Sequence, residues 1–183
     1  LAYMRGHWDT LEWFSNKKID FENYFLLGDY TQCHSLLNEI KDKIGVSLWY
    51  YEAKSLLFEY EGKSKDGLTY ISEILHECSN NNNYLLSLLY NLYERCHKRV
   101  SPFKYDEDLN ALYKRNRTEL HEDYYQYVLY RLNYYNQYQN TDLSLPIMFE
   151  SLSALVDRYL MVVSIIKSAL IQIPDDTIIR SKG

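Results

Sequence analysis

Turn-forming residues are scarce in this chain of 183 residues, which holds 6 Gly and 3 Pro. A many-stranded β fold needs turn chemistry every few residues, so the shortage excludes one and favours long helices with short connections. Cysteine is also rare. Cys33, Cys78 and Cys96 cannot all pair within one chain, and their spacing matches no disulfide framework, which points to a reducing cytoplasm. Neither sign of charge dominates. A formal net charge of −5 supplies no general phosphate-neutralising surface, and the only local basic cluster runs from Arg95 to Arg99, with Lys114, Arg115 and Arg117 beyond it. Nucleic acid is therefore not an expected partner. Long hydrophobic runs are missing too. The most apolar stretch, residues 143–173, is interrupted by Glu150, Asp157, Arg158 and Lys167, too near its middle for a membrane span, and reads as a core helix. The chain opens LAYMRGHW, without an initiator Met or a charged-then-apolar leader, and is expected to be a piece of a longer or processed polypeptide.

What is present is apolar residue at helical spacing, and tyrosine. Nearly half of the residues are apolar, and there are 20 Tyr. Tyr favours strands, yet here it sits among Leu, Glu and Lys in helical rhythm, as an amphipathic packing residue with its hydroxyl reaching water or a carbonyl. Asp9 to Phe14 predicts a short helical turn, and Asp20 a cap for a helix through Leu27 that Gly28 ends. Cys33, Leu36, Leu37, Ile40 and Ile44 form one stripe over 31–44. Ser47 caps the next helix, with Tyr50, Ala53, Leu57 and Phe58 apolar, and Gly62 stops it. Leu68, Ile71, Ile74 and Leu75 repeat the pattern over 64–78. After a loop of four asparagines, residues 84–98 give another amphipathic helix, broken at Ser101-Pro102. Residues 105–117 and 119–139 read as two helices, or one long helix with a bend, with a Tyr-rich face over 124–138, and a long final helix precedes a frayed tail from Pro174.

Sliding the sequence over itself by 34 residues superimposes Gly28 on Gly62, Cys33 on Gly67, Leu37 on Ile71, Glu39 on Glu73 and Ile40 on Ile74. A helix–turn–helix unit of that length cannot bury its apolar face without a neighbour. The turn and second helix GDYTQCHSLLNEI, with Gly28, Tyr30, Cys33, Leu37 and Ile40, resemble the tetratricopeptide repeat family. In that family the first helix ends at a Gly-x-Tyr turn and a small residue follows early in the second helix. Gly62 keeps the turn of the next unit, with Ser64 in the tyrosine's place, and in a third unit the turn glycine falls at Cys96. The resemblance covers residues 18–98. It implies antiparallel helix hairpins stacked as a short α-solenoid over 1–103; the chain then reads as all-α, with a helical extension or divergent units over 104–173 packed on the repeats and a flexible tail over 174–183. The bland alternative is an irregular helical bundle.

The resemblance also implies a concave groove lined by the first helices of the units. Its positions fall on Trp49, Glu52, Leu56, Glu59 and Tyr60, then on Leu86, Tyr90, Tyr93 and Glu94. Aromatic rings there give rigid contact area, and carboxylates beside them favour a basic or amide-rich peptide. The expected function is a protein–protein interaction module of a larger cytoplasmic protein, with a protein or peptide partner, or another domain of the same polypeptide, as occupant. No cofactor and no metal is expected. Cys33-His34, His76-Glu77-Cys78 and Cys96-His97 lack the four-ligand spacing of a zinc site, because neighbours on a helix point about 100° apart. Cys33 then supplies smallness rather than thiol chemistry, beside an exposed His34. No elbow glycines, phosphate-cradling loop or H-E-x-x-H helix is present. One stretch gives an enzymatic alternative: RNRTELH, residues 115–121, resembles the Arg-polar-x-His pattern of the HEPN ribonucleases, though with five residues between Arg and His. That resemblance implies His121 as general acid or base and Arg115 as stabiliser of phosphorane charge. A structural oligomerisation domain, suggested by the apolar stretch 143–173, is the third reading.

Overall fold

Helical spacing of the apolar residues dictates what forms. The computed structural model describes residues 2–78, 92–96 and 154–171, and the single positions 104, 105, 107, 111, 114, 127 and 131. Among the described residues there are helices and no strand, so the fold is all-α. The chain divides into two compact units, Leu1–His121 and Glu122–Gly183. In the first unit a short α1 (Ala2–Arg5) leads into α2 (Trp8–Leu27), α3 (Tyr30–Ile44), α4 (Leu48–Tyr60) and α5 (Ser64–Cys78). Residues 92–96 are helical as well. In the second unit α6 spans Leu155–Ile171. The predicted helices over 84–98, 105–117 and 119–139 lie largely outside the described residues, but each described position within them is helical.

Asp20 does not start a helix. It lies inside α2, which runs unbroken for 20 residues. Neither Gly nor Pro interrupts that stretch, and Lys18 pairs with Glu22 one turn on, straddling Asp20. The break comes at Gly28, whose φ of 75° is left-handed. Its amide donates to the Phe25 carbonyl at 3.1 Å, and the Asp29 amide reaches back to that of Tyr24 at 2.9 Å. Carbonyls that the helix end would leave unpaired are thereby satisfied. Asp29 then caps α3, its Oδ1 accepting from the Gln32 amide at 3.2 Å, while Cys33 N donates to Asp29 O at 3.2 Å.

The same backbone bonds recur 34 positions later. Gly62, at φ 76°, donates to Glu59 O at 3.2 Å, Lys63 N donates to Phe58 O at 2.8 Å, and Gly67 N donates to Lys63 O at 3.0 Å. Open space surrounds the position of a Cβ at both Gly28 and Gly62, so a substitution there meets only backbone strain. Gly28→Ala and Gly62→Ala should each lower stability by about 1–2 kcal/mol. Urea denaturation measures both, and equal losses are expected because the two turns have one geometry.

α2, α3 and α4 share a core of Phe21, Cys33, Leu36, Leu37, Tyr50, Ala53 and Leu57. α4 begins at Ser47, whose Oγ accepts from the Tyr50 amide at 3.1 Å, as its place before the apolar run predicts. Phe14 and Phe21 of α2 meet the Trp49 ring edge-on at 5.1 and 5.6 Å, and Phe25 meets Tyr60 at 5.0 Å. α2 and α4 therefore run in the same sense, with α3 between them in sequence. The register equates Cys33 with Gly67, and both sit where a second helix touches the first. The Cys33 thiol donates to the Phe21 carbonyl at 3.7 Å, and a Cβ on Gly67 would stand 3.1 Å from the Phe58 Cβ. One stripe residue departs from expectation: Leu68 is exposed, because Gly67 takes the inward position and turns Leu68 outward.

Candidate functional site

The predicted groove residues scatter between core, junction and surface. Trp49 is half-buried against Phe14 and Phe21. Glu52 is engaged by the Arg95 guanidinium, and its carbonyl accepts from the Cys96 thiol at 3.7 Å. Glu59 is buried and accepts from the Ser64 hydroxyl at 2.8 Å. Tyr93 is buried, its hydroxyl donating to the Ser64 carbonyl at 3.5 Å. Leu56 and Glu94 are half-buried. Among the described members Tyr60 is the exposed one, resting on Phe25. Leu86 and Tyr90 lie outside the described residues, as do Arg115 and His121. The structure thus brings Glu52, Glu59 and Tyr93 together at the seam where residues 92–96 meet α4 and α5. There they serve packing and internal hydrogen bonds. Of the Tyr-rich face, the described Tyr127 is buried.

A polar cluster that sequence spacing did not indicate lies across α3 and α4. His34 Nε2 stands 2.9 Å from Glu61 Oε2, and Lys54 Nζ stands 3.3 Å from His34 Nδ1. The other Glu61 oxygen accepts from Lys63 at 3.1 Å. A lysine ammonium can only donate, so Nδ1 is the acceptor and Nε2–H donates to the carboxylate. His34 is 20 residues from Lys54 and 27 from Glu61. The one signal in the sequence was the hairpin register itself, which sets position 34 outward beside the start of the next turn. Burial lowers the Lys54 pKa, with Glu61 opposing and Lys41 and Lys63 adding to the fall. Burial alone would raise the Glu61 pKa, but hydrogen bonds from His34 and Lys63, and then their charges, outweigh it and hold the carboxyl below its ordinary value.

A carboxyl whose pKa is lower in the folded chain stabilises the fold above its unfolded value, and loses that contribution as pH falls through the depressed folded value. Glu61→Gln should therefore cost about 1–2 kcal/mol at neutral pH. The gap from wild type should close as pH drops below the ordinary carboxyl value of 4.5. Denaturation midpoints taken from pH 7 down to pH 3 read it.

Both described thiols are inert at neutral pH. Burial pushes Cys33 up to about 11, with the charges of Asp29 and Glu61 adding to it. Burial also pushes Cys96 up to about 12, against the nearby Arg95 and with Glu59 adding. Among the described residues no three His, Cys, Asp or Glu side chains gather to hold a metal ion, and no helix is long and apolar enough to cross a membrane.

Among the described residues the most exposed large apolar side chains lie on α2. Trp8 is 59% exposed, Ile19 54%, Leu26 83% and Leu27 79%. At 100° per residue Trp8, Ile19 and Leu26 align within about 20°, along one flank of the helix and away from Leu11, Phe14 and Phe21, which enter the core. Of the exposed carboxylates, Glu12 lies about 40° to one side of that line with Asp9 and Asp20 a quarter turn or more away, and Glu22, paired with Lys18, lies about 40° to the other side. No family model, curated protein or solved structure matches the chain.

Proposed function

We propose that this chain is a helical-repeat interaction module of a larger cytoplasmic protein, built from tetratricopeptide-like hairpins and binding a segment of another polypeptide. The observation that carries the reading is the apolar line of Trp8, Ile19 and Leu26, held in the open on a helix whose other side is anchored in the core. The three stand about 16 and 10 Å apart along the helix axis, and a rigid row of exposed apolar side chains on one flank suits a docked peptide. The identical turn bonds at Gly28 and Gly62 support the repeat architecture, and buried reduced thiols at Cys33 and Cys96 suit a reducing compartment. The predicted groove contributes Tyr60 to the open surface. Trp49, Glu52, Glu59 and Tyr93 make contacts within the first unit. The carboxylate of Glu12 beside that line, with Asp9 and Asp20 further round the same side of α2, favours a partner that is apolar with basic flanks.

Selection of displayed random peptides against the purified chain tests this. Enriched sequences should pair apolar with Lys or Arg residues. Ile19→Asp and Leu26→Asp should each weaken their binding at least about ten-fold, or about 1.4 kcal/mol, while circular dichroism stays helical. Binding that survives both changes in a folded chain would place the docking surface elsewhere.

A further inference from the structure

The Glu61–His34–Lys54 row has the layout of a carboxylate–imidazole–nucleophile relay, with an amine where hydrolases place a hydroxyl or thiol. Glu61 grips one ring nitrogen at 2.9 Å, and the amine stands 3.3 Å from the other. Glu61 is itself anchored by Lys63, so the ring is fixed in the tautomer that leaves Nδ1 able to accept a proton. Lys54 lies half-buried with its Nζ 5.4 Å from the centre of the Phe58 ring. The cluster is open to small reagents, since the His34 side chain keeps 29% of its exposure.

We propose that Lys54 is a lysine primed for acylation by small thioesters, with His34 as its base and Glu61 as the residue that positions the imidazole. The ammonium passes a proton to His34 Nδ1, and the resulting imidazolium is held by the Glu61 carboxylate. The freed amine attacks the thioester carbonyl; the new C–N bond forms and the C–S bond breaks. The second amine proton leaves with the thiolate as the free thiol, and His34 returns its own proton to solvent. Nothing is oxidised or reduced, and the product is an amide at Lys54. Acylation removes the charge that faces His34, Lys41 and Lys63, and breaks the link from α4 to α3. The lowering of the Lys54 pKa by burial acts in the same direction as the base.

Site-resolved mass spectrometry of the intact chain treated with N,S-diacetylcysteamine at pH 7.5 tests the proposal, with the exposed Lys65 as internal reference. Lys54 should acetylate roughly ten-fold faster than Lys65. In a folded His34→Asn chain the two rates should converge, with Lys65 unchanged. Glu61→Gln should slow Lys54 less than that and shift its pH–rate profile, a readout that merely local loosening would not move. If His34→Asn does not fold, the wild-type pH–rate profile decides: Lys54 should reach its plateau at lower pH than Lys65. Equal rates at Lys54 and Lys65 in the wild type, coincident profiles, or a Lys54 rate indifferent to His34→Asn would each overturn it.

Discussion

Asp157→Ala is expected to destabilise the second unit by roughly 3–5 kcal/mol, the cost of stripping a buried charge of its counter-charge. Asp157 is 1% exposed, in the first turn of α6, and its Oδ1 stands 3.2 Å from Nη2 of Arg131, itself buried. The carboxylate at that position also meets the positive end of the helix dipole. Both side chains have further interactions, so Arg131 would keep some partners and lose its opposite charge. Urea denaturation followed by far-ultraviolet circular dichroism should show a loss of helix at lower denaturant. The three tryptophans, Trp8, Trp13 and Trp49, all lie in the first unit, and their fluorescence reports on that unit separately. The paired change Arg131→Met with Asp157→Leu should recover much of the loss, because well-packed apolar groups replace an ion pair at little cost. A single Asp157→Ala chain with an unshifted transition would remove the pair from the list of structural determinants.

The helix ends were the most legible part of the sequence, because their chemistry is local. Gly28, Ser47 and Gly62 each act within four residues of themselves, and each does in the structure what its neighbours predict. The equation of Cys33 with Gly67 was legible too, since only a small residue fits where two helices touch. Asp20 was misread because a capping residue inside a continuous helical pattern looks the same as one at its start, and the missing Gly or Pro should have decided it. Aromatic roles were illegible for a different reason. Trp49, Tyr60 and Tyr93 have the same helical spacing whether they face a neighbour or solvent, and the choice depends on which helix arrives from elsewhere in the chain. The Glu61–His34–Lys54 row was missed because its members meet across hairpins. His34 was read as an exposed neighbour of a buried thiol. It is partly exposed, but both ring nitrogens have partners.

That division of the aromatic residues has a consequence for any binding experiment. Phe14 is fully buried and meets the Trp49 ring edge-on, with Phe21 on the same ring. Phe14→Ala should cost roughly 3–5 kcal/mol and Trp49→Ala about 3 kcal/mol, from lost apolar burial and the cavity left behind. A double-mutant cycle should return about 0.5–1.5 kcal/mol of coupling for the edge-to-face pair. Chemical denaturation by circular dichroism reads all three, and additive losses would refute the contact. Trp49→Ala would then weaken partner binding merely by unfolding the chain, and a loss of affinity in that variant would say nothing about a groove. Trp8 is the discriminating tryptophan. It is 59% exposed and in line with Ile19 and Leu26, so Trp8→Ala should leave stability within about 0.5 kcal/mol of wild type while weakening the selected peptides. Affinity lost at Trp8 with stability kept, and stability lost at Trp49, would separate the residues that recognise a partner from those that build the surface presenting it.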